Sequence, residues 1–175
     1  VVNYFDPLTV GTPTVVVNAI GDSLITQIGL GIDVSEAALA NYNGSVTFTA
    51  QSIITINGPV SGTSVAITAD ESILVTSGVT ISATAGDLTL EAQLNNVRLI
   101  NSTLDATGNL TLLAGTDILI NTGSSTLTAD SDSLAGGTLT LSAGRHLNID
   151  GSFSGADVDM SAFGNMTLQG VVLEA

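Results

Sequence analysis

Arg145 and His146 join one of only two arginines to the only histidine in a chain of 175 residues. Proton transfer or anion recognition would draw on this pair first, since an imidazole changes charge near neutral pH and a guanidinium clamps carboxylate or phosphate. Neighbours on a strand, however, point to opposite faces, and the pair stands at a corner equivalent to Thr116–Asp117, so a solvated corner is the expectation. Cleaving or eliminating sugar chains requires several carboxylates, or an arginine base, convergent on one face. Asp157 and Asp159 share a face by spacing, but Asp157 lies at the entrance to a repeat and no column of acids runs beside Asp159, so ordinary surface accounts for them. Asp130, Ser131 and Asp132 offer oxygen ligands suited to calcium, yet the Gly-Gly-x-Gly-x-Asp pattern of calcium solenoids is absent, and an acidic loop is the simpler reading. No catalytic, cofactor-binding or metal-binding residue is therefore assigned, and the chain is not expected to be an enzyme.

Two further patterns could carry a function. Thr47, Thr89, Thr111 and Thr140 form an outward column, and flat threonine arrays suit ordered water, which raises ice binding. The column beside it reads Thr49, Thr68, Glu91, Leu113, Ser142, Ser161; it is broken, so strand propensity and stacking of threonines between repeats explain it better. Asn43, Asn101, Asn109 and Asn165 each begin an Asn-x-Ser/Thr glycosylation pattern, as chance allows in a chain this rich in Asn, Ser and Thr.

These residues are placed by a repeat. Its best copy is 109–121, and its first strand recurs as Val46–Ala50, Val65–Ala69, Leu88–Ala92, Leu110–Ala114, Leu139–Ala143 and Val158–Ala162, at intervals of 19, 23, 22, 29 and 19 residues. Positions one, three and five are apolar in every copy, whereas two and four are mostly Thr, Ser, Asp or Glu, which sets an inner and an outer face. In the best copy Leu110, Leu112, Ala114, Ile118 and Ile120 are expected inside, Thr111 and Leu119 outside, with Gly115–Asp117 at the corner. Leu113 faces outward where other copies carry polar residues, which marks it for a contact with a neighbour. A second strand follows as Ile54/Ile56, Ile73/Val75, Val97/Leu99, Ile118/Ile120, Leu147/Ile149 and Met166/Leu168. Gly58, Gly78, Gly123, Gly151 and Gly170 close it, replaced once by Asn101, all residue types that tolerate a positive-φ corner. A weaker third strand shows as Val79/Ile81/Ala83, Leu104/Ala106, Leu127/Ala129, Phe153 and Val172.

Three strands per turn and repeats of this length predict an all-β solenoid with a triangular section and about six regular coils, on the order of 29 Å long at the usual strand spacing. One coil cannot bury its own apolar row; each added coil pairs its neighbour's backbone and covers that row. The longest repeat needs extra loop, supplied by 130–137. Residues 44–175 are assigned to the repeats and 1–43 to an irregular first coil or cap. There Thr14–Val17, Ser23–Ile28 and Gly29–Val34 read as strands and Ser35–Ala40 as a turn of helix, with Tyr4, Phe5 and Tyr42 suited to plugging an open end. The carboxyl end, apolar at its third strand, is expected to meet a further coil or another copy.

Composition narrows the function. Sixteen acids against two arginines and no lysine give a formal charge of −14, a surface that repels nucleic acid and anionic lipid. The same charge discourages lateral sheet pairing. Hydrophobic residues make up 44% but aromatics only 3%, so the core is one of Val, Ile, Leu and Ala. No cysteine excludes disulfides and thiolate metal sites and fits export. No apolar run has membrane-spanning length, and any signal peptide is expected to have been removed or to lie upstream of Val1.

The pattern Gly/Asp–Asn/Asp–Leu–Thr–Leu–x–Ala–Gly–x–Asp–Ile–x–Ile, best seen at 108–120 and again at 86–92 and 138–149, resembles filamentous haemagglutinin-like large secreted bacterial exoproteins over about residues 36–175. That resemblance implies a right-handed parallel β-helix, export by a two-partner route, and a role in adhesion, aggregation or biofilm. The expectation is a non-catalytic shaft of a secreted cell-surface adhesin or matrix fibre, extracellular, without cofactor. Its partners would be adjoining β-helix segments or identical subunits end to end, and host-cell or matrix glycans, with no nucleic acid and no membrane insertion. A subunit stacking head to tail into an extracellular filament is the alternative, and a polysaccharide-binding or polysaccharide-cleaving β-helix the third.

Overall fold

A computed structural model describes residues 23–26, 32–34, 44–132 and 136–174. Alternating apolar residues in runs of three to six, punctuated by Gly, Asn and Ser, are too short for helices and suit strands. Each regular coil accordingly carries three. The first strands are β1 (Ser23–Thr26), β3 (Val46–Ala50), β6 (Val65–Ala69), β9 (Leu88–Ala92), β12 (Leu110–Ala114), β14 (Thr138–Ala143) and β16 (Asp157–Ala162). They form one parallel sheet in that order. Second strands are β2 (Ile32–Val34), β4 (Ile54–Ile56), β7 (Ile73–Val75), β10 (Val97–Ile100) and β17 (Met166–Leu168); third strands are β5 (Val60–Gly62), β8 (Thr80–Ala83), β11 (Thr103–Ala106) and β18 (Val172–Glu174). In two coils β13 (Ile118–Thr128) and β15 (Leu147–Ser154) run on from second to third position, which joins those two faces into one parallel sheet.

This is a parallel β-solenoid of about six coils. Register is strict: Leu110 stacks between Leu88 and Leu139, Leu112 between Leu90 and Leu141, Ala114 between Ala92 and Ala143. The rows Val46/Phe48/Ala50, Ile54/Ile56, Leu88/Leu90/Ala92, Leu110/Leu112, Ile118/Ile120 and Leu147/Ile149 are buried, and the alternate residues are not. A slip by one residue would turn every such row outward, so burial itself pins the register. Each fully buried Leu or Ile contributes roughly 1.5–3 kcal/mol of transfer free energy.

The first and second strands fall where the repeat predicts them. Three details differ. The third strand of the first regular coil, β5, lacks the apolar alternation of its fellows and was not anticipated. In β18 it is Leu173, not Val172, that stands in register above Phe153. Of the predicted glycine corners, Gly78, Gly151 and Gly170 have φ of 80°, 151° and 62°, and Asn101 takes the same role at 43°, but Gly58 turns without a positive φ. β1 and β2 pair with β3 and β4 in parallel and so extend both sheets; the strand expected at Thr14–Val17 and the helical turn at Ser35–Ala40 lie outside the described residues. Toward the carboxyl end the core opens: Val158, Met160 and Ala162 are only partly buried, and Met166, Leu168, Val172 and Leu173 are about half exposed.

Candidate functional site

The side chains that could do chemistry meet at the corner between first and second strands. Because Ile73, Val97, Ile118, Leu147 and Met166 are in register, the residues before them, Ser72, Asn96, Asp117, His146 and Asn165, stack in a column. Every one of these has a side-chain acceptor. The Asn96 N–H donates to Ser72 Oγ at 3.4 Å, that of Asp117 to Asn96 Oδ1 at 3.1 Å, that of His146 to Asp117 Oδ1 at 3.1 Å, and that of Asn165 to His146 Nδ1 at 3.1 Å. In return, the next N–H of each lower coil reaches the carbonyl of the column residue above: Ile73 to Asn96, Val97 to Asp117, Ile118 to His146 and Leu147 to Asn165, at 2.9–3.1 Å. Each step is thus a closed pair of bonds, and corner amides that strand pairing leaves unmatched find partners.

A second column stands at the corner before the first strands, where Ser45, Ser64, Asp87, Asn109, Thr138 and Asp157 stack, and its Asp87–Asn109–Thr138 steps repeat the amide-to-side-chain bond. Asp87 Oδ1 accepts the Asn109 N–H at 2.8 Å and its Nδ2 at 3.2 Å. Asn109 Oδ1 accepts the Thr138 N–H at 3.0 Å, and Ser64 Oγ donates to Ser45 Oγ at 2.9 Å.

Asp117 is the electrostatic centre of the first column. It is only 7% exposed and takes Arg145 Nε on Oδ1 at 2.9 Å, with the Arg145 guanidinium also on Oδ2. The hydrogen bond from Arg145 holds its carboxyl below the ordinary carboxylate value; burial opposes this, while the charge of Arg145, the His146 N–H and the charge of His146 act in the same direction. The same pairing raises Arg145 further above its already high value.

Arg145 and His146 do stand over Thr116 and Asp117, as expected, but Arg145 is a bidentate partner of the coil below rather than a free cation. His146 Nδ1 is occupied by the Asn165 amide, which leaves it no role as a general base at that atom. Asp157 and Asp159 are exposed beside Thr138 and Thr140. Among the described residues no group of three or more His, Cys, Asp or Glu could hold a metal; Asp130 sits at a positive-φ corner of 60°. Leu113 lies half-buried between Glu91 and Ser142, and Thr111 between Thr89 and Thr140. An open recess of about 320 Å³ on the third-strand face is lined by Thr126, Thr128, Ser152, Phe153 and Ser154 and holds no titratable group. The Asp117–Arg145 pair was missed in the sequence because 28 residues separate its members. The available signal was opposite charge one repeat apart, next to a strand start.

Comparison with protein families, curated proteins and solved structures finds no match to this chain. Its function must be argued from its own geometry.

Proposed function

We propose that this chain is a structural shaft segment of a secreted, cell-surface adhesin or extracellular matrix fibre, without catalysis. One observation carries the reading: the polar side chains best suited to chemistry, Asn96, Asp117, Arg145 and His146, are spent on bonds between successive coils. A site that reacts needs groups free to meet a substrate; here they meet backbone amides. Supporting it are the outward Thr and Ser columns, the charge of −14 with no lysine, and the resemblance of the repeat to filamentous haemagglutinin-like exoproteins. On this reading the partners are further β-helix coils at the ends and glycans of host cell or matrix along the faces, and the location is the bacterial surface.

Head-to-tail stacking of identical subunits is the second reading, in which another copy would cover the half-exposed Met166, Leu168, Val172 and Leu173. Intact-mass measurement and electron microscopy of native material separate the two. A continuous polypeptide much larger than this chain supports the shaft; repeating units of this chain alone support the filament. Turnover of a glycan by the purified chain would overturn both.

A further inference from the structure

We infer that His146 is an acid-sensitive latch for the last described coil. Its Nδ1 accepts the Asn165 N–H at 3.1 Å, so the ring proton of the bonded form resides on Nε2. An imidazolium donates from both nitrogens and accepts from neither. Protonation therefore turns an attraction into two N–H groups facing each other, and no ring flip repairs it, since the other nitrogen also carries a proton.

The surroundings leave this bond without a substitute. From the coil below, Asp117 faces His146, but its Oδ1 already holds the His146 N–H and both its oxygens bind Arg145. Arg145 on the same corner is the other charged neighbour and cannot accept. The coil above contributes Phe163, Gly164 and Asn165, none of them titratable. Gly164 lies so close that a Cβ there would stand 2.9 Å from His146 Nδ1, so the imidazolium meets tightly packed backbone. The coil above is also the one with least to lose: Phe163 is 95% exposed and β17 is exposed along its length. Elsewhere the column uses Ser, Asn or Asp, which still accept where an imidazole has titrated; only this step changes its hydrogen-bonding sense with imidazole ionisation.

The test is amide hydrogen exchange of the intact chain, corrected for intrinsic rates, read against the His146 imidazole titration followed by NMR. The Asn165 amide should lose protection by about tenfold as the ring protonates, the loss of one ordinary hydrogen bond, while Leu112 keeps its protection. His146→Asn restores the residue type used by the column at Asn96 and should hold Asn165 protection constant over the same range. Unchanged Asn165 protection in the native chain, or an equal loss in His146→Asn, overturns the latch. Independently of any variant, a proton found on Nδ1 in the neutral ring overturns it as well.

Discussion

Truncating the same side chain in a middle coil and in the last one should give very different losses. Leu112 is fully buried between Leu90 and Leu141, whereas Leu168 stacks on Ile149 alone and is 49% exposed. Leu112→Ala removes buried methyl groups and leaves a cavity walled by two neighbouring coils, at about 2–5 kcal/mol. Leu168→Ala removes about half the transfer free energy of a leucine side chain and leaves no closed cavity, so about 1 kcal/mol is expected. For a chain of this size 1 kcal/mol shifts the melting temperature by about 2–4 °C, so Leu112→Ala should melt roughly 4–20 °C lower and Leu168→Ala only a few degrees lower. Circular dichroism melts and urea titrations at several protein concentrations measure both. Stability in a stacked array is a sum of coil and nearest-neighbour interface contributions, and a coil with one neighbour has one interface to lose. Equal losses at the two positions would refute this reasoning, and a Leu168→Ala loss that grows with concentration would show the end face covered by another copy.

Asp117→Ala should cost about 1–3 kcal/mol, because the His146 N–H loses its acceptor near the core; Asp117→Asn retains an acceptor oxygen and should cost less, as urea titration will show. The native pairing lowers the Asp117 carboxyl below its ordinary value, so its contribution is complete above that value and disappears as pH falls through the lower one. Acid melts below about pH 4 should therefore narrow the gap between native and Asp117→Asn. Gly144→Ala should destabilise by about 1–3 kcal/mol, since its Cβ would run into the Gly115 carbonyl, with the carbonyl carbon 2.8 Å away; calorimetry should find it worse than the same change at Gly78, where no atom lies within 4 Å of the added Cβ and only the backbone conformation resists.

The six first strands and six second strands were legible because burial of one face leaves a period-two trace, as in Leu110, Leu112 and Ala114, and stacking repeats that trace every coil. β5 was not legible: Val60, Ser61 and Gly62 carry one large apolar residue, and their strand conformation comes from pairing with β8, a tertiary cause. The corner columns were half legible. Their polar composition is visible, but Ser, Asn and Asp favour turns for local reasons as well, so composition does not reveal a bond between coils. What singles them out is position, immediately before a strand or at its first residue, and the donor lies about one repeat away, beyond any local pattern. Asp117 with Arg145 is the clearest case, a buried carboxylate identified only by the coil above it.

In the column before the second strands, the side-chain bonds run one way. A side chain fixed in one coil there receives the amide of the coil that follows it in sequence. A chain delivered amino end first, from a ribosome or through a pore, therefore finds at each new turn an oxygen or ring nitrogen already in position, and every completed coil is a mould for the one still arriving.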